Sequence, residues 1–184
     1  MPDDAQASMT FTELAQLLDG VAIESQAGER ALSPRDLVGE LPPETCRLAS
    51  PRRLLEVLEE IAAWGPVTIP LATADGIVEF TGPLPVGQVR NGHFYWLGDG
   101  PLRGRLRIDR CDGIAFVERA FMGRPSASVL FFNRSGDIMF KVFLIRDDRQ
   151  RLDASQLAAF RALANRVRRR PATARTPRNP IDKR

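Results

Sequence analysis

His93 and Tyr95 are the only histidine and the only tyrosine among 184 residues, and they stand two apart in RNGHFYWLGDGP, Arg90 to Pro101. Both side-chain types can bind a metal ion. Alternate residues of an extended strand share a face. His93, Tyr95 and Leu97 therefore group together, and Phe94 and Trp96 lie opposite. Two residues advance roughly 7 Å along a strand, so a planar ligand could meet either polar group. The next segment, PLRGRLRIDR, brings Arg103, Arg105, Arg107 and Arg110, and the odd spacing puts Arg103, Arg105 and Arg107 on one face. This is chemistry that suits heme. Its iron takes an axial His, Cys, Met or Tyr, its ring takes apolar contacts, and its two propionates take arginine. The same residues also describe an ordinary half-buried strand, with Phe94 and Trp96 in the core and the arginines forming a solvated face. Alternation alone leaves both readings open.

Little else in the chain competes. There is no Gly-x-Ser-x-Gly turn and no P-loop, and GDGPLRG lacks the Gly-x-Gly-x-x-Gly pattern. One histidine and two distant cysteines, Cys46 and Cys111, do not make a zinc site or a disulfide framework. Both cysteines read as small buried thiols. Asp109, Asp112, Glu118 and Asp137 alternate with arginines near turns and read as solvated strand ends. Met122 and Met139 read as core fillers.

The net charge of +3 conceals two unlike parts. From Arg166 onward there are eight basic residues and one acid, so 26 and 23 become 18 basic and 22 acidic residues in 1–165. The body is mildly acidic and the tail is basic. A nucleic-acid-binding body is therefore disfavoured, and the tail reads as solvated chain. No apolar run is long enough to cross a bilayer. The acidic start lacks the basic and apolar blocks of a signal peptide. The expectation is a reduced, cytoplasmic protein without a membrane role.

Elements to position the site follow from periodicity. MTFTELAQLLDG predicts a short helix. LSPRDLVGEL and SPRRLLEVLEEIAAWG predict two more, each with a Ser cap followed by Pro. Leu54, Leu55, Leu58, Ile61 and Ala62 form the stripe of the last. From Val67 the pattern changes to short β-like runs separated by turn residues. FFNRSGDIMFKV predicts a hairpin turning at Asn133 to Gly136, and Pro70 predicts that VTIPL is an edge strand. DASQLAAFRALANRV predicts a closing helix capped by Asp153, with Leu157, Phe160, Leu163, Ala164 and Val167 facing the sheet. The fold class is α+β: a twisted antiparallel β-sheet with N-terminal helices and a C-terminal helix packed on it. Residues 1–49 form a helical region, 50–167 the α+β domain and 168–184 a disordered basic tail.

Three elements occur in order at compatible spacing: DRC-x-x-IAFV-x-R-x-FMG, FFN-x-x-G-x-x-MFK and D-x-x-QLAAF. With GHFYWLG they make Leu54 to Leu163 resemble the HutX/ChuX/HugX family of cytoplasmic heme-utilisation proteins, relatives of a half-repeat of HemS-type carriers. The resemblance implies an antiparallel sheet with helices, a homodimer, and heme binding followed by delivery to a heme-degrading enzyme or buffering. It implies a carrier with no catalytic residues; a heme-degrading enzyme and a fold relative without heme are the alternatives. Many members carry HGYFN where this chain has NGHFY. The family tyrosine then falls on His93, its histidine on Asn91 and its asparagine on Tyr95. The resemblance therefore favours His93 as the iron ligand, with Tyr95 as the alternative. An arginine of some family pockets falls near Arg105.

Overall fold

A computed structural model describes residues 23–73, 76–98, 100–121 and 123–168. The helix expected in MTFTELAQLLDG, Met122 and the basic tail beyond Arg168 lie outside them. The first described helices are α1 (Ile23–Glu29) and α2 (Pro34–Gly39). Ser33 caps α2, its hydroxyl accepting from the Asp36 N–H at 3.2 Å. Ser50-Pro51 also starts a turn, but as 3-10 geometry over Pro51–Arg53, before α3 (Leu54–Ala62). The buried stripe of α3 is Leu54, Val57, Leu58 and Ile61; Leu55 and Ala62 sit at its margin.

Among the described residues, nine strands follow the antiparallel rule in two sheets, where one was expected. The large sheet runs β1-β7-β8-β9-β2-β3 and the small one β4-β5-β6. Strand β1 (Cys46–Ala49) lies inside the region expected to be helical. It pairs with β7 (Cys111–Phe121) from Cys46↔Val117 to Ala49↔Ile114. Four residues are too few to display a period of two, so the strand has no sequence signal of its own.

Strand β2 (Pro66–Thr73) is not an edge strand: β3 (Gly76–Pro83) flanks one side and β9 (Ile138–Leu144) the other. The β9 pairing covers only Val67 and Thr68. Pro70 lies beyond it, so the missing N–H interrupts no ladder on that side. The hairpin between β8 (Arg124–Asn133) and β9 turns where expected, closed by the Gly136 N–H to the Asn133 carbonyl at 3.0 Å.

Alternation along β8 divides the core. Ala127, Val129 and Phe131 point into the larger cluster with α3 and the closing helix α4 (Ala154–Val167). Leu130 and Phe132 point the other way, onto α1 and α2. Asp153 caps α4, accepting from the Gln156 N–H at 2.8 Å. Phe160, Leu163, Ala164 and Val167 are buried as expected, whereas Leu157 is only partly covered. Gln156 is buried in its place. Its amide donates to the Trp64 and Pro66 carbonyls at 2.9 and 2.6 Å and accepts from the Ile145 N–H at 3.2 Å. One side chain thus joins α4 to the α3–β2 corner and the end of β9. No helix among the described residues is long and apolar enough to cross a membrane.

Candidate functional site

The small sheet carries the residues singled out by the sequence. It comprises β4 (Gly87–Arg90), β5 (His93–Trp96) and β6 (Gly104–Arg107). Asn91 and Gly92 join β4 to β5 with φ of +50° and +72°. Two consecutive positive φ values are what a tight two-residue hairpin needs, and Asn-Gly adopts them at low cost. That hairpin fixes the register: Arg90↔His93, Val89↔Phe94, Gln88↔Tyr95 and Gly87↔Trp96. On the other side His93↔Arg107, Phe94↔Leu106, Tyr95↔Arg105 and Trp96↔Gly104.

Residues opposite one another in an antiparallel pair share a face. The inward face holds Phe94, Trp96 and Leu106, which pack on the larger core. Phe94 is 3% exposed. Trp96 lies 5.3 Å from Phe140 in a tilted contact and 6.0 Å from Phe94 in an edge-on one, ring centre to ring centre. The residues flanking Trp96 across the sheet are both glycines: Gly104 leaves room for the Trp96 ring and Gly87 for the Phe94 ring. A Cβ on Gly87 would lie 2.3 Å from the tip of the Phe94 ring and 2.5 Å from the Tyr95 carbonyl oxygen. The indole Nε1 of Trp96 is buried without a hydrogen-bond partner among the described residues.

The outward face holds His93 and Tyr95, half-buried, with ring centres 6.0 Å apart. Arg105 and Arg107 flank them from β6, and Gln88 and Arg90 from β4. Arg103 stands just outside β6, with its own interaction. The structure therefore brings His93, Tyr95, Arg105 and Arg107 together. Arg90 and Gln88 also belong to this face, and the sequence reading missed them. Asn91-Gly92 was the signal that could have placed them, because a two-residue turn folds β4 directly beside β5.

The face is graded from end to end. The Leu97 N–H donates to the Val86 carbonyl at 2.8 Å, extending the β4–β5 ladder by one step. Leu97 and Val86 are 42% and 69% exposed and so form an apolar end. Arg90 and Arg107 form the basic end. Four residues separate the ends, roughly 13 Å of strand. That is the scale of a porphyrin, which has an apolar edge and an edge bearing two carboxylates.

The imidazole is held in a defined orientation. His93 Nδ1 lies 2.9 Å from the Asn91 carbonyl oxygen. A carbonyl can only accept, so Nδ1 carries a hydrogen, and Nε2 is the nitrogen left to offer a lone pair to a metal. This is the arrangement by which proteins orient a metal-binding histidine. Arg107 is engaged as well. Its Nε and Nη2 donate to Asp109 at 3.2 and 2.8 Å, and this hydrogen bonding holds the Asp109 carboxyl below the usual range. A groove of about 440 Å³ lies elsewhere, lined by Thr68, Glu79, Thr81, Lys141, Phe143 and Arg146 among others. Among the described residues, its walls contain none of the side chains that ligate heme iron, so volume does not identify the site here.

Residues 47–163 match the family described as Haem utilisation ChuX/HutX. The chain belongs to that family. It is 33% identical over 155 residues to the intracellular heme transport protein HutX of Vibrio cholerae, covering 82% of this chain and 80% of that protein. A crystal structure of an Erwinia carotovora protein superposes with a TM-score of 0.81 at 43% identity, covering 88% of this chain and all of the other. The heme-binding protein ChuX superposes at 0.77 and 34% identity, covering 85% and 98%. Pseudomonas aeruginosa PhuS, at 14% identity and a TM-score of 0.66, shares the fold alone, and this chain spans 49% of its length. The α+β reading and the half-repeat relationship to HemS-type chains hold.

Proposed function

We propose that this chain is a cytoplasmic heme carrier. It holds heme on the outward face of the β4-β5-β6 sheet and delivers it to a heme-degrading enzyme. His93 would hold the iron through Nε2, with Tyr95 as the alternative. Arg103, Arg105 and Arg107 meet the propionates, and Val86 and Leu97 take the apolar edge. The observation that carries the reading is the Nδ1 bond to Asn91, which leaves Nε2 available on a face whose polarity runs the length of a porphyrin. Family membership supports the same reading, as do relatives named for heme transport and heme binding.

When bound, heme would supply the iron; this chain's part is to orient the imidazole and screen the carboxylates. Transfer favours this face, because a ligand held by one strand-borne side chain on an open sheet leaves without unfolding the core. Degradation is less suited to it. The nearby carboxylate, Asp109, is kept ionised by Arg107 and offers no proton.

Hemin titration of the wild type should give a saturable Soret band that is lost or shifted in His93→Ala. If His93→Ala and Tyr95→Phe both match the wild-type spectrum, the ligand assignment is wrong. Heme-loaded protein given oxygen and a reductant should keep its Soret band. Conversion to a biliverdin-like product would establish the enzymatic alternative instead.

The carrier works as a homodimer in this reading. Strand β3 is the outer strand of the large sheet, and the register partners Leu71 and Val78 are 59% and 69% exposed. Two copies would also match the length of the PhuS chain. Leu71→Asp with Val78→Asp should halve the mass seen by light scattering. A wild-type chain of 20.4 kDa in solution would overturn the dimer.

A further inference from the structure

Beyond the end of the small sheet lies a cleft lined by Arg107, Arg110, Asn133, Arg134, Ser135 and Met139. Three separate segments build it, and each is fixed. Arg107 is the register partner of His93. Arg110 closes a 3-10 turn, Ile108–Arg110, whose first N–H donates to the Gly92 carbonyl at 3.2 Å, tying it to the hairpin before His93. Arg134 and Ser135 sit in the β8–β9 turn. There the Asn133 side chain accepts from the Asp137 N–H at 2.9 Å. The Gly136 carbonyl accepts from the Arg35 N–H at 3.0 Å, and a Cβ on Gly136 would lie 2.3 Å from Ser33 Oγ. The turn is therefore docked on the start of α2.

The charges in the cleft are not balanced by the described residues. Cys111 and Asn133 are the last registered pair, and Arg110, in the 3-10 turn, and Arg134, in the hairpin turn, each stand one residue beyond it and line the same cleft. Like charges gathered in one cleft repel unless an anion lies between them. Among the described residues, neither guanidinium has a hydrogen bond or ion pair to a carboxylate. Asp109 is within Coulombic reach of Arg110, but Arg107 already forks both its oxygens. Three guanidiniums thus face one carboxylate, beside the apolar wall of Met139. Such a cleft takes a dianion or a pair of carboxylates.

We propose that this cleft is the carboxylate seat of the ligand: Arg110 and Arg134, with Arg107, receive the propionates of a porphyrin whose iron faces His93. The inference rests on the heme reading and deepens it, since it moves recognition of the carboxylates to two arginines that neither strand alternation nor the family resemblance selects. It also gives the heme a direction, with its acidic edge toward the β8–β9 turn and its apolar edge toward Val86 and Leu97.

The test is a Soret titration of the full chain with hemin and with hemin dimethyl ester, which lacks both carboxylates. Arg110→Ala with Arg134→Ala should raise the hemin Kd about tenfold to a hundredfold. Arg52→Ala with Arg149→Ala, which removes the same charge from exposed positions elsewhere, should have little effect. The ester should bind the wild type as weakly as hemin binds the Arg110/Arg134 variant, and should not sense that variant. Wild-type hemin affinity in the variant, or an ester that binds as tightly as hemin, would overturn the seat and leave the heme reading standing. A wild-type chain with no saturable hemin titration would overturn both.

Discussion

Gly87→Ala should disable the small sheet, and the cost can be read from two contacts. The new Cβ would lie 2.3 Å from Phe94 Cζ and 2.5 Å from the Tyr95 carbonyl oxygen. The first could be relieved by moving the phenyl ring. The second is backbone, so β4 must separate from β5 or twist away. Overpacking of this kind costs about 1–3 kcal/mol, and ejecting a buried phenyl as well approaches the about 3–5 kcal/mol of a Phe→Ala change. Phe94 is 3% exposed and anchors the inward face, so about 2–4 kcal/mol is expected. In a chain of this size that lowers Tm by roughly 5–15 °C. Two controls grade the effect. Gly92→Ala meets no atom within 4 Å and bears only the strain of φ +72°, about 1–2 kcal/mol. Gly104→Ala meets only the Trp96 ring, at 3.4 Å, and should cost less than about 1 kcal/mol. The assay is thermal and urea unfolding of the three variants, followed by hemin titration at a temperature where each is folded. If Gly87→Ala unfolds like the wild type, or Gly104→Ala proves the worst of the three, the packing argument fails.

Other outcomes follow from particular groups. Gln156→Leu should cost about 2–4 kcal/mol in urea unfolding, because it strands two carbonyls and one N–H at the α3–β2–α4 junction. The Asp147 carboxyl is held low by the Arg151 and Arg149 N–H groups and the Arg151 guanidinium, and the Asp153 carboxyl by Ser155 and the Gln156 N–H. Both groups have depressed folded values, so their contribution is full above the unfolded carboxyl value, about 3.9, and is lost as pH falls through the folded values. Urea unfolding against pH should therefore decline on the acid side, less steeply in Asp153→Ala with Asp147→Ala. Burial pushes the Cys46 thiol up to about 12 and raises Cys111, so neither should react with a disulfide reagent at pH 8 until the chain is unfolded.

Devices that act locally were legible in the sequence. The caps at Ser33, Ser50 and Asp153 sit one side chain from the N–H they satisfy, and each was found. The alternation of His93 and Tyr95 against Phe94 and Trp96 was also readable, because pleating needs only neighbouring residues. What failed was pairing between distant segments. Strand β1 owes its existence to β7, some seventy residues on, and has no periodicity of its own. Pro70 implied an edge, yet a neighbour that stops pairing after two residues accommodates it equally well. The division into two sheets was hidden for the same reason. Arg110 and Arg134 come to one cleft only because Cys111 pairs with Asn133, so no local pattern could have joined them.

Among the described residues, the small sheet exchanges strand-pair hydrogen bonds only among its own three members. Its described hold on the rest of the molecule is made by rings and aliphatic side chains, together with the Gly92 carbonyl, which accepts from the Ile108 N–H. The small sheet is thus a leaf glued to the body rather than woven into it. Its amide protons should exchange with solvent by a separate, cheaper opening than those of β7 and β8. Peeling this leaf away would disturb one greasy seam and leave the six-stranded framework whole, so loosening the small sheet and unfolding the chain are separable events.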